Sequence, residues 1–129
     1  LAVDAFSGDA IPVHLLTAEA IALYRRHLKP DGILAIHVTN QYLDLAPVVQ
    51  QEADHAGLHA VLIISSPDPG RDVNRADWVL VTANTDFLAL PQVTAAKEDG
   101  ISTPTNMRLW NDDYNSLLPI VRWQRREQR

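Results

Sequence analysis

The chain has 129 residues and a formal net charge of -5, which fits a single domain over 1–129 built around one hydrophobic core. It contains no cysteine, which excludes disulfides, thiolate metal sites and cysteine nucleophiles. The acidic balance argues against nucleic-acid binding, because that function needs a concentrated basic surface. No apolar run approaches the roughly 20 residues that cross a bilayer.

The first third of the chain alternates strand and helix patterns. LAVDAF, over 1–6, is an apolar run typical of a strand that is buried on both faces. A helix is predicted over 17–28, because Thr17 can cap it and its apolar side chains share one face before the KPDG turn. ILAIHV, over 33–38, is again an apolar run of β-rich residues and ends at polar ones.

The middle of the chain continues this alternation. A second helix is predicted over 45–56, capped by Asp44, with Glu52 on its otherwise mostly apolar face. Two further strands are predicted over 59–65 and 77–84. The segment between them is too short for a helical crossover, so we expect the two strands to pair antiparallel or to lie side by side.

The last third gives weaker signals. TDFLALPQVTAAKED, over 85–99, predicts one or two short helices broken at Pro91. DDYNSLLPIVRWQRRE, over 112–127, predicts a C-terminal helix with Pro119 in or near its first turns.

Aromatic and charged residues near this C-terminal helix have structural interpretations. In WNDDYNSLL we expect Trp110 and Tyr114 to be packing anchors, and Asp112 or Asp113 to cap the helix. The basic end RWQRREQR, over 122–129, is interpreted as a solvated helix end or a frayed terminus. The chain starts with Leu1 and its one methionine is Met107, so we expect it to be part of a longer protein.

The order β-α-β-α-β-β predicts an α/β fold, namely half of a Rossmann-like doubly wound sheet that is mostly parallel with an antiparallel last strand. In open sheets of this kind, ligands bind beyond the carboxyl ends of the parallel strands. Residues 4–12 and 37–40 follow the first two strands, so we expect them at this edge.

Two carboxylates and one imidazole in these segments could take part in proton transfer or in substrate binding. Asp4 and Asp9 could together bind a cationic amine and accept its proton, or Asp4 could end the strand and Asp9 tighten a turn. His37 lies at the end of a strand and is interpreted as a hydrogen-bonded crevice residue, since no second histidine has metal-ligand spacing. We predict no metal site. The chain also lacks G-x-S-x-G, G-x-G-x-x-G and P-loop motifs.

DAFSGDAIPVHLLTAEAIALYRRHLKPDGILAIHVTNQYLDLAPVV, over 4–49, together with WNDDYNSLL, resembles the spermidine synthase-like (aminopropyltransferase-like) family. The resemblance implies the Rossmann-like fold of S-adenosylmethionine-dependent methyltransferases, a seven-stranded sheet with an antiparallel last strand. This chain would supply strands four to seven, the C-terminal part of a catalytic domain.

The resemblance also implies site residues. Asp4 matches the aspartate that deprotonates the attacking amine, and Asp9 matches the one that helps to hold it. His37 and Asn40 stand where the family has Gln-Gly-Glu, and we expect them to bind the substrate. The adenine pocket of the family is matched at three positions, Pro12, Val13 and Leu16.

The implied activity is aminopropyl transfer from decarboxylated S-adenosylmethionine to an amine acceptor in the complete protein. The loop over 66–78 lacks the family's tyrosine, and the glycine-rich turn and the ribose-binding acid are not in this chain. We therefore expect the chain alone to be inactive, and two alternatives stay open: an S-adenosylmethionine-dependent methyltransferase, or a non-catalytic fragment or interaction module.

The expected partners follow from the same reasoning. We expect a small-molecule amine as substrate, no nucleic acid, and a homodimer through the exposed edge of the first strand. The resemblance implies a cytoplasmic protein, or a domain on the cytoplasmic face of a membrane if membrane segments occur elsewhere in the full-length protein.

Overall fold

The structure, a computed structural model, describes residues 1–5 and 12–122. Within these residues the regular elements are four strands and four helices. The strands are β1 (Ala2–Val3), β2 (Ile33–His37), β3 (His59–Ser65) and β4 (Ala76–Thr82); the helices are α1 (Ala18–His27), α2 (Ala46–His55), α3 (Thr85–Leu88) and α4 (Pro91–Ala96). Single turns of 3-10 helix span Val13–Leu16, Pro69–Arg71 and Leu118–Ile120.

The strands form one open sheet in the order β1-β2-β4-β3. β1 pairs parallel with β2, and β4 pairs antiparallel with both β2 and β3. The mixed α/β class is confirmed, but the prediction of mostly parallel pairing is wrong. β4 is the one strand that runs in the opposite direction, and because it lies between β2 and β3 it takes part in two of the three pairings.

One face of the sheet is covered by the two longer helices. Leu34 and Ile36 of β2 are buried, and so are Val79 and Val81 opposite them on β4. α2 contacts β3 and β4, and α1 contacts α2. These side chains belong to one apolar cluster with Ile21 of α1, so the hydrophobic core lies between the sheet and these helices.

The helix boundaries follow local capping chemistry. The backbone N–H of Ala20 donates to Thr17 Oγ1 (3.2 Å), which confirms the predicted cap of α1. The cap predicted at Asp44 is wrong: α2 begins after Leu45, which caps it without a side-chain bond, while the N–H of Asp44 donates to the carbonyl of Ile120. Gly57, with φ 72°, follows α2 in the left-handed conformation that suits glycine.

The predicted elements of the last third are only partly found. The break at Pro91 is confirmed, because Pro91 begins α4 after α3 has ended. The predicted C-terminal helix is wrong over 112–122, which holds only a turn of 3-10 helix, and the remainder lies outside the described residues. The reason is local, since Asn111 Oδ1 accepts the N–H groups of Asp113 and Tyr114 and closes a turn there.

The segment before this turn is held by long-range contacts. Trp110 is 1% exposed, which confirms it as a packing anchor, and its carbonyl accepts the N–H of Ala18. The Thr17 hydroxyl donates to Asp112 Oδ1 (2.9 Å), so Asp112 supports the start of α1 and caps no helix of its own. Within the described part of the chain, none of the helices is long and apolar enough to pass through a bilayer.

Candidate functional site

The candidate site lies at the carboxyl ends of the parallel strands β1 and β2. Val3 and Ile36 are partners in the β1–β2 register, so the next residue of each strand, Asp4 and His37, comes to the same edge of the sheet. Asp4 Oδ1 and His37 Nδ1 are 2.8 Å apart. The structure thus brings together two residues that lie 33 positions apart in the sequence.

The two side chains differ in exposure. The Asp4 side chain is 59% exposed and that of His37 17%. A carboxylate can only accept hydrogen bonds, so Nδ1 of His37 is the donor in this pair. The pair is therefore an imidazole oriented by a solvated carboxylate, an arrangement used in proteins to hold a histidine tautomer.

Trp78 holds the imidazole from a second direction. It lies opposite His37 in the β2–β4 register, and the two ring centroids are 4.8 Å apart with an angle of 31° between the ring planes. Because side chains alternate along a strand, His37 and Trp78 share the sheet face opposite to the one that α1 and α2 cover. The ring of His37 is therefore held by a hydrogen bond at one edge and an aromatic neighbour on its face.

The position of Trp78 is fixed by its neighbour Asp77, which is 7% exposed. The N–H of Asp77 donates to Thr39 Oγ1 (2.7 Å), and the N–H of Val38 donates to the carbonyl of Asp77 (2.8 Å). Arg75 donates to both carboxylate oxygens, Nε to Oδ1 (3.0 Å) and Nη2 to Oδ2 (3.3 Å). That hydrogen-bonded carboxylate raises the pKa of Arg75. Together these bonds join the start of β4 to the segment that follows β2.

The other residues predicted for the site have different positions. Asn40 Oδ1 accepts the N–H groups of Tyr42 and Leu43, each at 2.9 Å, so this amide oxygen shapes the turn after β2. Asp9 lies outside the described residues.

The three residues that were predicted to line an adenine pocket differ in their exposure. Pro12 and Val13 are half-buried and keep some exposed surface, whereas Leu16 is 0% exposed and belongs to the apolar cluster. A ligand could contact the first two, while Leu16 packs behind them because the 3-10 turn directs it into the core. Of the three residues predicted to contact adenine, Pro12 and Val13 are therefore the ones with exposed surface.

Glu52 is a buried acid that the sequence pattern placed on the mostly apolar face of α2 but did not single out as a site residue. It lies on α2 and is 1% exposed, and neither carboxylate oxygen has a hydrogen-bond partner within the described residues. Burial raises its pKa to about 8; the nearby backbone of Trp110 opposes this rise, and the charge of Glu19 adds to it. The signal in the sequence was an acid among valines and alanines on the core face of a helix.

No group of three or more His, Cys, Asp or Glu side chains in 1–5 and 12–122 is arranged to hold a metal ion. The fold and the site define a mixed α/β protein in which a carboxylate–imidazole pair lies at the carboxyl ends of two parallel strands. Comparison with protein-family models, with curated proteins and with solved structures gives no match.

Proposed function

We propose that the complete protein is a spermidine synthase-like transferase that moves the aminopropyl group of decarboxylated S-adenosylmethionine to an amine. The observation that carries the proposal is the Asp4–His37 pair, 2.8 Å apart beyond the carboxyl ends of two adjacent parallel strands. Ligands of open α/β sheets bind in this position. A proton acceptor at this edge would lie beside a bound substrate.

The topology supports the same proposal. β1, β2 and β3 run in one direction and β4, the last strand, runs in the other. This agrees with a Rossmann-like sheet of which the chain supplies the last four strands. α1 and α2 cover one face, which is consistent with right-handed crossovers from β1 to β2 and from β2 to β3.

The electrostatics favour a cationic acceptor. The exposed carboxylate of Asp4 can attract an ammonium group, and the net charge of -5 adds a field of the same sign. Asp9 is proposed as a second carboxylate for the amine, and Asn40 as a neighbour of the substrate. Pro12 and Val13 are proposed to pack against adenine. The remaining parts of the donor site are assigned to the rest of the complete protein.

The test is calorimetric and kinetic. Isothermal titration of the complete gene product with decarboxylated S-adenosylmethionine is expected to give a binding heat, and turnover with a panel of amines is expected to follow. Asp4→Asn is expected to lower that turnover by about 100-fold or more. Asp31→Asn is the matched control, because Asp31 is exposed and lies in the turn before β2. Absence of heat with both S-adenosylmethionine and its decarboxylated form would contradict the proposal.

Methyl transfer from S-adenosylmethionine is the second candidate. It is favoured by His37, Thr39 and Asn40, which stand where the family has Gln-Gly-Glu. Mass spectrometry of the amine products separates a methyl from an aminopropyl adduct. Binding of a donor without any product, or turnover that Asp4→Asn leaves unchanged, would instead favour the non-catalytic interpretation.

A further inference from the structure

We propose that His37 Nε2 is the atom that accepts the proton from the substrate amine, and that Asp4 and Trp78 are positioning residues for it. This inference rests on the proposed function and changes the role that the resemblance gives to Asp4. It follows from the direction of the hydrogen bond between His37 and Asp4, from the different exposure of these two side chains, and from the β2–β4 register that places Trp78 beside His37.

The hydrogen bond fixes which nitrogen carries the proton. Asp4 Oδ1 lies 2.8 Å from His37 Nδ1. Since an ionised carboxylate has no proton to donate, Nδ1 carries the hydrogen. A neutral imidazole has one N–H and one lone pair, so Nε2 is the basic nitrogen and lies at the opposite side of the ring from Asp4.

Exposure favours His37 over Asp4 as the base. The Asp4 side chain is 59% exposed, and its carboxylate is stabilised by water and by the Nδ1–H group. The His37 side chain is 17% exposed, so the imidazole is partly desolvated but not fully buried. An imidazole is also better matched than a solvated carboxylate to proton transfer at neutral pH.

The surroundings of the ring support a fixed orientation. Trp78 lies against it with 4.8 Å between ring centroids, and Trp78 follows the buried Asp77. Asp77 forms hydrogen bonds with Thr39, Val38 and Arg75. A histidine with a bonded Nδ1 and a packed face cannot turn freely, so Nε2 keeps one direction, as a general base requires.

The reaction step balances as follows. The lone pair of the amine nitrogen forms a bond to the aminopropyl carbon attached to the sulfonium sulfur. The C–S bond breaks, and its electron pair stays on sulfur as a neutral thioether. The proton leaves the nitrogen for His37 Nε2, which gives an imidazolium whose Nδ1–H still donates to Asp4, so the carboxylate stabilises the new charge.

The first test is the tautomer, and it needs no substrate. In the ¹⁵N-labelled chain, two-dimensional ¹H–¹⁵N spectra of the imidazole rings are expected to show His37 protonated at Nδ1 and not at Nε2, with His37→Gln identifying the signal. Asp4→Asn is expected to shift this balance, and Asp31→Asn to leave it unchanged. A tautomer protonated at Nε2 would overturn the proposal.

The second test uses diethyl pyrocarbonate, which acylates an unprotonated imidazole nitrogen. Mass spectrometry is expected to show that Asp4→Asn slows modification of His37 several-fold, while the exposed His14 is modified at the same rate in both proteins. An equal rate at His37 would overturn the proposal. If labelling follows the expectation but no donor is turned over, the aminopropyl-transfer function fails while the assignment of His37 as the basic group stands.

The third test is kinetic and applies once turnover is found. His37→Gln keeps an N–H that Asp4 can accept but has no basic nitrogen, and it is expected to lower turnover by about 100-fold to 10,000-fold. The double variant with Asp4→Asn and His37→Gln is expected to have a turnover only slightly lower than that of His37→Gln alone, because the two residues act as a unit. Additive losses of turnover in the double variant, or turnover unchanged by His37→Gln in a protein with an unaltered circular dichroism spectrum, would overturn the proposal.

Discussion

Replacing Glu52 by glutamine removes a buried acid whose ionisation opposes folding. The side chain is 1% exposed, and its oxygens have no hydrogen-bond partner within the described residues. Burial raises its pKa from 4.5 to about 8. Between these two values the unfolded chain has lost the proton that the folded chain keeps, so raising the pH favours unfolding. Below pH 4.5 Glu52 has no effect on stability, and above about pH 8 its destabilising effect no longer changes with pH.

The magnitude follows from the difference between the two pKa values. One unit corresponds to about 1.4 kcal/mol, so the full cost of ionising Glu52 in the folded chain is about 5 kcal/mol. Small domains have total stabilities of about 5–15 kcal/mol, so this one residue is expected to dominate the change of stability between about pH 4.5 and pH 8. Glu52→Gln is expected to gain about 3 kcal/mol over the natural chain between pH 5 and pH 7.5.

The assay is urea unfolding followed by tryptophan fluorescence at several pH values. The informative quantity is the difference between the free energy of unfolding of the natural chain and that of Glu52→Gln, because other titrating groups cancel in it. Glu98→Gln, at an exposed glutamate, is the control and is expected to show no such difference. Parallel pH dependences for the natural chain and Glu52→Gln would refute the reasoning, because they would mean that Glu52 is solvated or paired in the folded state.

Two further substitutions test the packing and the backbone. The Trp110 side chain is 1% exposed, and Trp110→Ala is expected to lower the free energy of unfolding in urea by about 3–5 kcal/mol. The control is Leu118→Ala, at a side chain that is 74% exposed, which should change that free energy by no more than about 0.5 kcal/mol. Similar losses for the two variants would contradict the assigned core. Gly57→Ala is expected to cost about 1 kcal/mol, because φ is 72° there although nothing lies within 4 Å of an added Cβ. Gly70→Ala, where no positive φ occurs, is its control, and an equal effect of the two would argue against a backbone cause.

Local patterns were sufficient to predict α1 and β3. α1 was predicted over 17–28 and spans Ala18–His27, and β3 was predicted and found over 59–65. These succeeded because a side-chain cap, a glycine or proline stop and a continuous apolar run act over a few residues. In the C-terminal segment the local turn closed by Asn111 ends any helix, and the hydrogen bond from Thr17 to Asp112, 95 positions away, adds a long-range contact that the local pattern does not show.

The same distinction between local and long-range determinants applies to the candidate site. The sequence by itself indicated that Asp4 and His37 lie at the ends of two apolar runs, and parallel pairing of consecutive strands brings both to one edge of the sheet. The first strand was predicted over 1–6 and buried on both faces, which is wrong, because β1 spans only Ala2–Val3 at the open edge of the sheet and Leu1 is 55% exposed. Only the tertiary structure decided that β4 inserts next to β2, which brings Trp78 against the imidazole, and that Nδ1 of His37 is the nitrogen that meets Asp4. Strand order and ring orientation depend on contacts between residues far apart in the chain, so no short window of sequence carries them.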